Sequence, residues 1–265
     1  MSFFCGCGGE PCTIVTLQGL ELWSSGRVDG TNMGLMSPVD GWANGTDSDT
    51  STGGWEDADG GPVPDIRWAP RTLTIDGDIL ARSHADLAEA MEEVGQVLTR
   101  PRRDLLVVDE SVHLGLVRQI EVHRTRRPII TQVSPTYAVF TLMVEAPEWE
   151  RVGVDAQSAT VTTGGVACQN IGTADAAVTA TLTGPLTNPG LSWAGGTWQY
   201  EGVIPSGRTL TVDMRHRRVR DLATAIHYRQ NAAGSWLNLP PGTTTVTRTG
   251  TGSGSIRLDW RSTWA

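Results

Sequence analysis

The last third of the chain constrains the fold most. From Thr179 to Ala265, short runs that alternate apolar and polar residues are broken by Gly, Pro, Asn or Ser about every ten residues. That rhythm belongs to short antiparallel strands packed as two sheets. Val203–Asp213 is one such run and Ser255–Trp264 is another. No catalytic cluster of polar residues interrupts them. The segment reads as an accessory β-sandwich, a building or binding part.

The remaining residues of the 265 leave room for a second domain with its own core. Hydrophobic content of 39% with 31 glycines fits strand-rich domains whose sheets are half exposed. The net charge of −8 argues against a general nucleic-acid binder, which needs a basic face. All 21 basic residues are Arg. A GC-rich genome explains that, and so does a need for Arg at interfaces, where its planar fork forms bidentate pairs. Met1–Cys5 has neither a basic n-region nor an apolar h-region, so no secretory signal is expected. No stretch has the apolar length of a membrane span. The expected product is soluble and made in the cytoplasm; if it leaves the cell, it does so by another route, such as inside a larger particle.

Along the first half, residues 13–28 read as a strand with a break at Gly19. Residues 29–66 form a long acidic, glycine-rich stretch holding Trp42 and Trp55, too long for an ordinary connection. Ordering by a partner is the expectation for it. Arg71–Asp78 reads as a strand ending in a turn. Ser83 and Asp86 form an approximate capping box, and Leu87, Ala90, Met91, Val94, Val97 and Leu98 follow at helical spacing. The spacing predicts one amphipathic helix over 83–98, stopped by Pro101. Strands are expected at 105–108, 116–123 and 137–146. The last is apolar on both faces for much of its length, so a helix or a neighbouring subunit should cover it. The expected boundary lies near residue 152, giving units 1–152 and 153–265.

Candidate chemistry is sparse. Cys5, Cys7 and Cys12 lie close together, but CxxC spacing is absent and Cys168 is far away. Reduced thiols are the reading taken, with a zinc or iron–sulfur site and a disulfide as rivals. Asp47-Ser48-Asp49-Thr50-Ser51 starts like a calcium loop, yet Thr52 stands where Gly is needed and Ala58 where Glu is needed. The five His are scattered, and Ser206 is not in a nucleophile elbow. No metal, cofactor or catalytic residue is assigned. Three Arg clusters, 100–103, 124–127 and 215–220, read either as solvated turns or as patches that meet acidic surfaces of like subunits. Trp42, Trp55, Arg102, Arg103, Arg126 and Arg127 are the candidate subunit-interface residues. Trp193, Trp198 and Tyr200 read either as sandwich core or as a platform that stacks on sugar rings.

Several segments together resemble the distal tail proteins of long-tailed bacteriophages, the siphophage tail-component family. They are the early Leu17-Gln18-Gly19 strand, Val39-Asp40-Gly41-Trp42, the helix 83–98, Arg118–Val122, and Tyr137–Pro147 running into Glu148-Trp149. In the second half they are Asn188-Pro189-Gly190-Leu191-Ser192, Val203–Asp213, Trp236–Gly242 with its Leu-Pro-Pro-Gly turn, and Arg257–Arg261. The resemblance implies a mainly β fold with one packed helix: a tail-tube-like belt domain followed by a galectin-like β-sandwich. It further implies a non-enzymatic virion protein of the tail tip, made in the host cytoplasm, that closes into a homomeric ring of six copies. Such a ring joins the tail tube protein to the tip or baseplate hub protein and lets DNA pass without specific binding. A host-surface carbohydrate-binding module is the alternative role. The Cys-rich leader and the 29–66 stretch depart from the family pattern.

Overall fold

The computed structural model describes residues 13–23, 31–44, 48–49 and 67–265. Cys5, Cys7, Cys12, Trp55 and most of the 29–66 stretch lie outside the described residues. The chain divides into two compact units, Met1–Arg151 with Ala265, and Val152–Trp264.

In the first unit, β1 (Ile14–Leu17) and β2 (Leu20–Trp23) form a hairpin rather than one broken strand. Gln18 and Gly19 both take positive φ, the geometry that tight hairpins prefer. The other elements are β3 (Asn32–Leu35), β4 (Ser48–Asp49), β5 (Arg67–Trp68), β6 (Arg71–Leu80), α1 (His84–Gln96), β7 (Arg103–Glu110), α2 (Ser111–Leu114), β8 (Leu116–Arg124), β9 (Ile129–Ser134) and β10 (Tyr137–Ala146). Strand order β8-β7-β1-β2-β3-β6-β10 closes on itself through Val144–Arg124 and Glu145–His123, making a seven-stranded barrel. Strand β9 flanks β10, and β4 pairs with β5 separately.

Alternation sets the core. Leu73, Ile75 and Ile79 of β6 face inward with Ala138, Phe140, Leu142 and Val144 of β10 and with Leu87, Ala90 and Val94 of α1. Strand β6 runs through Gly77 instead of turning there. A Cβ at Gly77 would lie 2.3 Å from the Phe140 ring and 2.7 Å from the Gly34 carbonyl, so glycine serves close approach. The Ser83 hydroxyl accepts from Asp86 N–H at 3.1 Å and caps α1. The helix ends at Gln96, short of Leu98. Leu98 takes φ 56°, and its N–H donates to the Gln18 side chain at 2.5 Å. Strand β10 alternates buried and half-buried residues, and α1 packs on its inner side. No strand was expected at β9, where Ile129 and Val133 are exposed.

The division falls inside β11 (Arg151–Gly153). The second unit contains β12 (Gln157–Val161), β13 (Val166–Asn170), β14 (Ala176–Thr183), β15 (Leu186–Trp193), β16 (Gly196–Tyr200), β17 (Val203–Ile204), β18 (Thr209–Asp213), β19 (Arg218–Asp221), β20 (Ala232–Gly234), β21 (Asn238–Leu239), β22 (Gly242–Thr251), β23 (Ser255–Trp260) and β24 (Thr263–Trp264). Sheets β12-β23-β14-β18-β19 and β13-β22-β15-β16-β20 form a β-sandwich around one core. The run 203–213 is two strands separated by Pro205-Ser206-Gly207-Arg208, and 255–264 breaks at Arg261-Ser262.

Asn170, wholly buried, ties four backbone groups together. Its amide donates to the Ala174 and Leu239 carbonyls at 2.7 and 2.9 Å. Its oxygen accepts from Gly172 and Thr263 N–H at 3.0 and 3.2 Å. Asn170→Ala removes all four bonds inside the sandwich. It is expected to lower the unfolding free energy by about 3 kcal/mol in urea titration; a change below about 1 kcal/mol would refute this role.

Candidate functional site

The first unit concentrates charge at two places, and the first is built on Trp42. The backbone there bridges β6 through Asp40 and Thr74. Gly41 follows at φ 78°, with the Thr72 carbonyl only 2.2 Å from where a Cβ would stand. Trp42, 3% exposed, then turns inward. Arg71 Nη1 donates to the carbonyls of Gly41, Trp42 and Asn44 at 2.8, 3.1 and 2.6 Å, and its Nε to that of Trp149 at 3.1 Å. Arg151 Nη1 donates to the Trp42 carbonyl at 2.5 Å. The guanidinium groups of Arg118 and Arg151 lie over the Trp42 ring, 5.7 and 5.5 Å from its centroid. Glu110 accepts from Arg118 Nη2 and from Trp42 Nε1.

Arg71, Arg118 and Arg151 are all buried. Burial, then the like charges of Arg118 and Arg71, lower the Arg151 pKa to about 10, against the pull of Glu110. Burial, then Arg118, lowers that of Arg71. Backbone oxygens, that of Ala265 beside Arg151 among them, and the Glu110 carboxylate face the three cations. This corrects the expectation for Trp42: its ring is enclosed by its own subunit and keeps almost no surface for a neighbour.

The second place is one end of β7 and β8. Arg103 and His123 are register partners, which brings the 100–103 and 124–127 clusters side by side. Arg102, Arg103, Arg126 and Arg127 are all exposed. Arg103 meets Glu121 at 3.4 Å with both side chains more than half exposed, a contact of small energetic weight. The third cluster, Arg215 to Arg220, surrounds the exposed β18–β19 turn of the sandwich.

The sugar platform is also corrected. Trp198 is 1% exposed and Tyr200 is buried, both in the sandwich core; Trp193 is half-buried at its margin. Stacking on a sugar needs an open ring face, and two of the three rings have none. Trp236 packs near Trp198, with centroids 6.1 Å apart, and Arg229 lies 4.7 Å over its ring. Among the described residues, no group of three or more His, Cys, Asp or Glu is arranged to hold a metal ion. No described helix is long and apolar enough to cross a membrane.

Sequence reasoning missed Arg71, Arg118, Arg151 and Glu110. A signal existed for two of them. Arg118 shares the inward parity of Ile120 and Val122, and Arg71 that of Leu73 and Ile75. A charged residue in an apolar register marks a buried, bonded group.

A barrel unit carrying α1 and α2, followed by an antiparallel sandwich, is similar in fold to a solved phage protein. The crystal structure of the SPP1 Dit (gp 19.1) protein, a paradigm of the hub adsorption apparatus in phages infecting Gram-positive hosts, matches with TM-score 0.66 at 15% identity. The match covers 96% of this chain and 99% of that one. Chains of the phage P2 baseplate in its activated conformation, with Ca and with Sr, give TM-scores of 0.46 and 0.43 at 6% and 5% identity. Each covers 93% of this chain and 97% of the other. No family model and no curated protein matches the sequence. The SPP1 likeness shows the fold, mainly β with a barrel unit and a β-sandwich.

Glu110→Gln removes the carboxylate that accepts from Arg118 and Trp42 in this buried group of cations. The expected loss of stability is about 3 kcal/mol, followed by denaturant unfolding. An unchanged midpoint would mean that the carbonyl dipoles alone balance the charge.

Proposed function

We propose that this chain is a structural protein of a phage tail tip. In this reading it forms a homomeric ring of six copies that joins the tail tube to the tip or baseplate hub and encloses a passage for DNA. It is a virion component and not an enzyme. The observation that carries the reading is the likeness to SPP1 Dit over nearly the whole of both chains. The abundance of paired strand and the buried polar bonding support a rigid building part. The carbohydrate-binding alternative loses its main support with Trp198 and Tyr200 in the core.

Interrupting the gene with a suppressible stop codon tests the role. Electron microscopy of the non-suppressing lysate is expected to show filled heads without complete tails, and suppression to restore tailed, infectious particles. Normal tails and normal infectivity without the protein would contradict it.

A further inference from the structure

A pocket of about 480 Å³ at the Arg-rich end of the barrel is lined by Leu98, Thr99, Arg102, Arg103, His123 and Arg124. Arg124 is held in place by the Gly95 and Val97 carbonyls at 3.1 and 3.0 Å, partners that leave its charge uncancelled. Arg103 and His123 have carboxylate neighbours, Glu121 and Glu145. Among the described residues, Arg102 of the lining has no ion pair, nor have Arg126 and Arg127, which follow Arg124 in the chain outside the lining. The buried Nδ1 of His123 has no hydrogen-bond partner there. The pocket therefore has surplus positive charge and an unfilled hydrogen-bonding position.

The chain itself carries a complementary segment. Residues 45–66 contain Asp47, Asp49, Glu56, Asp57, Asp59 and Asp65 and no basic residue. The segment follows Asn44, whose carbonyl Arg71 holds, and Trp42, whose ring Arg118 covers. Arg118 and Arg124 lie six residues apart on β8, or about 20 Å at the usual strand rise. Root and pocket are thus separate places on one unit, and the acidic residues that follow the root in sequence are opposite in charge to the pocket. Head-to-tail contacts between copies join two different surfaces of this kind.

We infer that the Arg-lined pocket docks residues 45–66 of a second copy. The inference rests on the ring proposed above and names the contact that closes it. It is tested with two full-length variants. One carries Arg102→Glu, Arg126→Glu and Arg127→Glu; the other carries Asp47→Asn, Asp49→Asn, Glu56→Gln, Asp57→Asn, Asp59→Asn and Asp65→Asn. The three Arg are exposed, and circular dichroism with thermal melting verifies that both variants fold.

Each variant alone is expected to stay monomeric by mass photometry, and a mixture to form a one-to-one pair. The pair keeps the acidic segment of the first variant and the Arg pocket of the second. Its affinity should fall at least about tenfold between 0.05 and 0.5 M salt, as expected of contacts between exposed charges. No pair, with the wild type still forming rings, overturns the docking and leaves the ring reading intact. A pair beside a strictly monomeric wild type assigns the segment to its own pocket and overturns docking between copies. No pair and no ring overturns both. Binding of duplex DNA that the Arg reversals abolish, without any pair, assigns the pocket to phosphates instead.

Discussion

Three buried guanidinium groups gathered around one indole, with the Glu110 carboxylate among them, form the constraint on which the first unit depends. Cations in such surroundings repel one another and lose hydration. They persist here because Gly41, Trp42, Asn44 and Trp149 turn their carbonyls toward Arg71 and Arg151, and Glu110 takes Arg118. These bonds fasten the backbone before the acidic segment to β6, β8 and the end of the unit. Polar bonding replaces apolar packing at this point, so a change in either charge or shape is felt by the whole cluster.

The sandwich solves a similar problem without charge. Asn170 satisfies four backbone groups from separate segments, and the surrounding core is filled by aliphatic residues with Trp198, Tyr200 and Trp260. Rings placed this way give volume and rigidity. They are not available to an outside ligand.

Much of the fold was legible because strand and helix periods differ. The apolar run 137–146, the alternation along 203–213 and the helical spacing after Ser83 mark elements that the structure contains. The misses have local physical causes. Gly77 and the Gln18–Gly19 turn look alike as glycine breaks, but one admits the Phe140 ring and the other reverses the chain. Strand β9 was invisible because an outer strand with exposed Ile129 and Val133 carries no clear alternation. Leu98 was read as helical from its spacing, although the Gln18 side chain draws its N–H away. The Arg clusters were legible as clusters, whereas their meeting at one barrel end depends on the β7–β8 register. Trp42 and Trp198 were visible as rings, but composition does not say whether a ring is core or surface.

The account centres on a rigid β chain that assembles with copies of itself. Mass photometry of the purified wild-type protein over a range of concentrations tests that most directly. The account predicts a closed species near 170 kDa, about six copies of the 28.4 kDa chain, with no ladder of larger forms because a ring closes. A single 28.4 kDa species at every concentration would contradict it.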